Sequence, residues 1–311
     1  MLDPQARMLL DMISAAGLPP VDQQAPVAAR EGYRLRRSFT QPDPPLVGRV
    51  REHWVSSGSA RITVREYRPI EPASKAALPA LLYLHGGGWT IGDLETHDVL
   101  CRSLCKDADC VVLSVDYRLA PENPFPAAYE DALAAFDWAA AQAQTLGIDA
   151  GRIAIGGDSA GGNLAAAACI GLRGRAAQPA FQLLIYPATD LRCRAPSHDR
   201  NGQGYLLTSA AIAWFLGHYL TQPGDYADWR ASPLLAASHA KLPPALVLTA
   251  GFDPLRDEGL QYANALSKAG VSTEYVCFER QIHGFITMGR VLGEANTALA
   301  LCSLALRKAL Q

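Results

Sequence analysis

The chain has 311 residues, 28 Lys and Arg against 30 Asp and Glu, and a formal net charge of −2 at pH 7. That length is one large domain or two ordinary ones with room for a sizeable core, and with 49% hydrophobic and 19% charged residues it is neither disordered nor a coiled coil. A near-neutral charge balance excludes the basic face that nucleic acid requires, and the cluster Arg34, Arg36 and Arg37 reads as a solvated patch. No run reaches the roughly 20 apolar residues of a membrane-spanning helix. The start, with acids at Asp3 and Asp11, has no cationic segment ahead of an apolar one, as a secretory signal would. Seven scattered cysteines make no disulfide framework. The expectation is a cytoplasmic protein with no nucleic-acid or membrane partner.

Residues 1–46 read as helix and loop, with apolar Met8, Leu9, Met12 and Ile13 followed by Pro-rich stretches. Two runs, 47–56 and 60–69, joined at Ser57-Gly58, alternate in a way that predicts a hairpin with one wet face; Ile62, Val64 and Glu66 lie opposite Thr63, Arg65 and Tyr67. From about residue 79 the pattern changes. The runs LPALLYLH (78–85), CVVLSVDY (110–117), RIAIGG (152–157), FQLLIYP (181–187) and PALVLTAG (244–251) are short and nearly continuously apolar, as strands buried on both faces of a parallel sheet are. Helical stretches at 93–106, 126–146, 159–174, 256–269 and 290–309 alternate with them, and STEYVCFER (272–280) reads as a last, edge strand. The class is therefore α/β, a mostly parallel sheet flanked by helices. Residues 188–243 exceed what a crossover needs and predict an inserted helical cap, joined by residues 1–46; residues 47–187 and 244–311 form the core.

Gly157-Asp158-Ser159-Ala160-Gly161 is a G-x-S-x-G placed between a predicted strand and a predicted helix. A turn that sharp needs small flanking residues and lifts the serine hydroxyl above the sheet, where the helix N-terminus faces developing negative charge. A phosphate cradle does not fit, since no Gly-Lys-Ser/Thr follows and the glycines come in adjacent pairs. His85-Gly86-Gly87-Gly88-Trp89 follows the first core strand. Its glycines free backbone N–H groups to turn toward an oxyanion: Gly87, Gly88 and Ala160 are the candidate donors, with Gly86 shaping the loop. His85, at a buried strand end, is expected to bond backbone rather than act as a base.

HGGGW (85–89), GDLETHD (92–98), VDYRLAPE (115–122), GGDSAGGNLA (156–165), DPLRDEG (253–259) and IHGF (282–285) together resemble the hormone-sensitive-lipase family of α/β-hydrolases, and its bacterial carboxylesterases in particular. The resemblance implies the α/β-hydrolase fold with a helical cap and a chain order of Ser, acid, His. Four histidines follow Ser159: His198, His218, His239 and His283. His198 and His218 fall in the cap and His239 precedes a strand, whereas His283 emerges at a strand's C-terminal end and lies in the family's IHGF. Asp253, just past PALVLTAG, is the expected acid; Asp190 is the fallback, read as a cap hinge. Asp257 and Glu258 are expected to point toward solvent or the helix N-terminus.

The resemblance implies a serine carboxylesterase for short-to-medium acyl esters, acting through an acyl-enzyme on Ser159 with no cofactor and no metal. A lipase or amidase would use the same triad, and a non-catalytic receptor on this fold, such as the gibberellin receptors, would lack the histidine that stands here as His283. Trp89, Tyr205, Leu206, Trp214, Phe215 and Phe285 are the candidates for lining the substrate pocket. His97, Cys101 and Cys105 fall four apart, yet three mixed ligands without a fourth read as buried packing. Glu122, Asp158, Tyr117 and Arg118 are expected to be scaffold. A homodimer through the last strand is expected, because an alternating edge such as STEYVCFER invites pairing.

Overall fold

The computed structural model describes residues 1–70 and 77–311. Its strands are β1 (Arg49–Ser57), β2 (Ala60–Arg68), β3 (Leu78–Leu84), β4 (Val111–Asp116), β5 (Ile148–Asp158), β6 (Gln182–Ile185), β7 (Ala245–Phe252) and β8 (Thr273–Ile282). They form one sheet in the order β1-β2-β4-β3-β5-β6-β7-β8. β1 and β2 are the predicted hairpin, with Ser57 opposite Ala60, and β2 meets β4 antiparallel; every later pairing is parallel.

The α-helices are α1 (Pro4–Ala15), α2 (Pro26–Thr40), α3 (Asp98–Ala108), α4 (Ala127–Ala141), α5 (Ala143–Leu146), α6 (Ala160–Leu172), α7 (Pro196–Asn201), α8 (Ser209–Tyr219), α9 (Arg256–Lys268) and α10 (Gly293–Ala309). Successive side chains of β3 show why its sequence is apolar throughout. Leu82 and Leu84 enter a core with Phe136 of α4, Leu164 of α6 and Tyr262 of α9. Leu81 and Tyr83 enter a second core with Leu104 of α3 and Leu306 of α10. All four are fully buried, and each leucine so placed contributes roughly 1.5–3 kcal/mol.

Three expectations change. The hairpin has no simple wet face: Tyr67 is fully buried and its hydroxyl donates to Asp98 of α3, which covers that side, while Glu66 is buried among Arg49, His53 and Arg68. The helix predicted from residue 93 starts at Asp98, because Asp93 and Thr96 cap each other's backbone N–H groups in a turn. The helix predicted over 126–146 is two, α4 and α5, interrupted at Gln142.

Residues 188–243 hold α7, α8 and two short 3-10 turns, Pro223–Ala227 and Pro233–Leu235. The N-terminal segment divides. Its turn Val21–Gln23 touches α8. Arg30 of α2 donates to the Thr90 and Ala120 carbonyls and pairs with Glu122, so α2 lies over the loop after β3. α1 instead packs into the second core through Ala6 and Leu9, with Leu2 just ahead of it, because its apolar face meets β8 and α10, where Asp3 N–H donates to the Arg280 carbonyl and Gly293 N–H to the Gln5 side chain.

Candidate active site

β5 ends at Asp158 and α6 begins at Ala160, so Ser159 is the whole turn, with φ 56° and ψ −118°. A non-glycine residue held there stores roughly 1–3 kcal/mol of strain. What holds it is close packing. The Gly157 and Gly161 backbones press on the Leu84 carbonyl so tightly that a Cβ at either position would overlap it. Ser159 N–H donates to the Ile185 carbonyl at 2.9 Å, fixing the turn against β6. The serine itself is half-buried.

β7 and β8 deliver the other two groups at the same sheet edge. Fully buried Asp253 accepts Leu255 N–H on Oδ1 at 2.8 Å and His283 Nδ1–H on Oδ2 at 2.7 Å. That bond puts the ring proton on Nδ1 and leaves the Nε2 lone pair toward Ser159 Oγ, 2.9 Å away. The structure thus links Ser159, His283 and Asp253 in one hydrogen-bonded chain. The other three histidines go elsewhere: His218 packs on Trp214, His239 bonds the Pro233 carbonyl, and His198 pairs with Glu258. Asp190 pairs with Arg192.

Glu258 departs from expectation. It is 1% exposed, takes Thr189 N–H and Asp190 N–H on Oε1, and faces His198 Nε2 at 2.6 Å through Oε2. The first turn of α9 therefore turns this acid inward, where the chain leaving β6 supplies two backbone donors. Asp257 alone of the two keeps to the outside, pairing with Arg200.

The loop after β3 leans on Asp158. Its Oδ1 accepts Gly86 N–H at 2.9 Å and the Tyr83 hydroxyl at 2.7 Å, with His97 Nε2 3.2 Å away. Burial pushes the Asp158 carboxyl up, but His97 and the Tyr83 hydroxyl outweigh it and leave it below the usual carboxylate range. The Gly86 N–H is therefore engaged by Asp158. Gly87 and Gly88 sit at φ 127° and 56°, a conformation that suits glycine, and their N–H groups have no acceptor among the described residues. Ala160, at the first position of α6, has no intrahelical acceptor for its N–H either. His85 bonds the Gly86 carbonyl through Nδ1, and burial next to His97 pulls it down to about 4, so it stays neutral. Tyr117 stacks on it at 4.2 Å and donates to its carbonyl, and Arg118 pairs with Asp131.

The six aromatic and apolar candidates separate. Phe215 presses its ring on Gly88, and Trp214 meets Phe215 edge-on at 5.1 Å. Tyr205 packs on Phe252 at 5.1 Å, and Leu206 approaches Gly284. The first pair thus lies against the loop after β3 and the second against the ends of β7 and β8. Trp89 is 3% exposed and stacks on Tyr219 at 4.4 Å, behind the glycines. Phe285 is fully buried beside Tyr186 and Phe278, where it supports the histidine loop from the second core. Sequence reasoning missed Arg30, which braces the loop after β3 from α2 and lies in no motif.

Among the described residues no cluster of His, Cys, Asp or Glu has the arrangement of a metal site, and Cys101 and Cys105 are buried, unpaired packing residues. No helix among them is long and apolar enough to cross a membrane.

A family model described as the alpha/beta hydrolase fold matches residues 81–287. The carboxylic ester hydrolase LipN of Mycobacterium tuberculosis is 43% identical over 94% of this chain and 79% of its own length. The ethyl acetate hydrolase of Pseudomonas putida is 40% identical over 99% of each chain. Among solved structures, the ester-hydrolase EH1AB1 from the metagenome of Lake Arreo superposes with a TM-score of 0.95 at 43% identity, covering 99% of both chains. Sheet order, serine turn and full-length similarity agree: the chain belongs to the α/β-hydrolase fold family, in its hormone-sensitive-lipase-like group.

Proposed function

We propose that the protein is a serine carboxylesterase in which Ser159 is the nucleophile, His283 the base and Asp253 the orienting acid. The observation that carries this is the unbroken path from Asp253 Oδ2 through His283 to Ser159 Oγ, with bonds of 2.7 and 2.9 Å. His283 Nε2 accepts the hydroxyl proton as Oγ bonds to the ester carbonyl carbon. The carbonyl oxygen takes the electron pair and is met by the N–H groups of Gly87, Gly88 and Ala160. Collapse expels the alcohol, which leaves with the proton from His283. Water then attacks the acyl-enzyme by the same route, releasing the carboxylic acid and restoring Ser159. Asp253 keeps the imidazole in the productive tautomer and balances its charge.

Residues 188–243, with α2 and the Val21–Gln23 turn, act as the cap over this site. The charges of the insertion support a folded lobe rather than a lipid-seeking lid: Arg192 pairs with Asp190, Arg230 with Asp228 and Arg200 with Asp257, while Leu216, Tyr219 and Leu220 pack into the core. A closed pocket stops rewarding chain length at its floor, since each methylene gains about 0.8 kcal/mol only while buried. In a series of p-nitrophenyl esters, kcat/KM peaks at about four to eight acyl carbons, the length a pocket of ordinary size buries, and falls for longer chains. Faster turnover of long-chain triglyceride emulsions than of soluble butyrate or hexanoate esters would replace this reading with a lipase.

The outer edge of β8 pairs with no other strand among the described residues of this chain. That supports a homodimer joined along it, in a cytoplasmic enzyme. Light scattering that gives a monomer at micromolar concentration removes the dimer.

A further inference from the structure

Asp253 is held at four points: one comes from the cap, and one is the Arg256 N–H, which donates to its backbone carbonyl at 3.2 Å. Leu255 N–H and His283 fix its carboxylate. Its backbone carbonyl is fixed by Asn201 of α7, whose side-chain amide donates to the Asp253 carbonyl at 3.0 Å and to the Gly251 carbonyl at 3.2 Å. Four residues earlier on α7, and so on the same helix face, Ser197 Oγ donates to the Pro254 carbonyl and accepts Asp257 N–H at 3.1 Å. His198 adds the 2.6 Å contact with Glu258. Every one of these groups is shielded from water: Ser197 is 0%, His198 7%, Asn201 8% and Glu258 1% exposed. A six-residue helix thus contacts the acid loop at residues 251, 253, 254, 257 and 258.

Burial pulls His198 down, but its hydrogen bonds to Cys193 and Glu258 overcome that and raise it to about 10. Burial pushes the Glu258 carboxyl up as well, so the pair holds a proton between two buried groups 2.6 Å apart, and that short bond is the anchor. The acid loop is a short connection between β7 and α9, and the contacts from α7 add to its own turn bonds at Asp253 and Leu255.

We propose that α7 is a clasp that sets the position of Asp253 under His283, with Asn201 as its positioning residue and the His198–Glu258 pair as its anchor. This rests on the triad reading above. Removing the Asn201 amide takes the side-chain donor from both carbonyls and leaves that of Asp253 with the Arg256 N–H alone at 3.2 Å, and the loop shifts to replace the lost bond. A displacement of about 1 Å at a catalytic group costs on the order of 10²-fold in rate. Asn201 touches no reacting atom, so the loss falls on kcat and spares KM.

The test measures kcat and KM for p-nitrophenyl butyrate, the number of active sites by titration with a p-nitrophenyl phosphonate, and the melting temperature. The proteins are wild type, Asn201→Ala, Asn201→Asp, Arg200→Ala and Ser159→Ala. Asn201→Asp has the same size but an oxygen in place of the donor, so it remains informative if the alanine variant does not fold. Arg200 lies on the outer face of the same helix, 57% exposed at its side chain, and controls for loosening α7 in general. We expect kcat per titrated site to fall about 10- to 100-fold in both Asn201 variants, KM to stay within about threefold, and Arg200→Ala to match wild type. Both Asn201 variants retaining kcat per site within twofold, or showing a raised KM at unchanged kcat, overturns the clasp while leaving the triad intact. Activity surviving in Ser159→Ala overturns the triad reading, and the clasp with it.

Discussion

Replacing Ser159 by alanine lowers kcat for p-nitrophenyl butyrate by about 10⁶-fold, the loss seen when the serine of an unrelated hydrolase is removed, and leaves the melting temperature within a few degrees. The size follows from the chemistry. Without Oγ there is no acyl-enzyme, and His283 Nε2, 2.9 Å from the missing oxygen, can only assist a water that nothing positions. The residual rate comes from the loop donors and from binding. Stability is spared because Ser159 is half-buried and its Oγ bonds, among the described residues, only to His283, whereas the turn is held by its own backbone contacts to Ile185 and Asn163. Relief of the strain at φ 56° does not enter, since alanine meets the same steric limit. Steady-state assays on purified variant, with an active-site titration to exclude wild-type contamination, check this; turnover within tenfold of wild type removes Ser159 as the nucleophile.

Asp253→Asn costs about 10⁴-fold in kcat, the magnitude found for the matching change in an unrelated serine protease. The substitution preserves volume, yet it reverses one bond. Asp253 Oδ2 accepts from His283 Nδ1 at 2.7 Å while Oδ1 accepts Leu255 N–H at 2.8 Å. The asparagine oxygen satisfies Leu255 N–H, and the amide then turns its NH₂ to the histidine. Nδ1 becomes an acceptor, the ring proton moves to Nε2, and the lone pair that should take the Ser159 proton is gone. The variant therefore folds normally and binds phosphonate slowly. Asp253→Ala, which lets either tautomer form, is expected to lose less per folded molecule than its smaller size suggests. An Asp253→Asn enzyme within tenfold of wild type makes Asp253 a structural acid and returns Asp190 to consideration.

The parts legible in the sequence are those whose signal is local. β3 to β7 announce themselves because both faces of the sheet are covered, which forces unbroken apolar runs such as Leu81 to Leu84. Ser159 stands out because its turn needs small neighbours on both sides, and Asp253 and His283 because each follows directly on a strand end. What the sequence hides depends on partners far along the chain. Tyr67 looks like a wet-face residue until α3, thirty-one positions later, supplies Asp98 for its hydroxyl. Glu258 has the signature of an exposed acid in a first helical turn; its burial requires N–H groups at Thr189 and Asp190 and a ring at His198. Asn201 and Arg30 carry no pattern at all, since what they do is donate to backbone carbonyls that folding alone brings near.

Asp158 joins the turn that carries Ser159 to the loop that carries Gly87 and Gly88, through its bond to Gly86 N–H. One side chain belonging to both segments means that neither can travel without the other. The serine turn and the glycine loop are therefore held in one mutual register on the middle of the sheet, and an ester bound there would meet both already set.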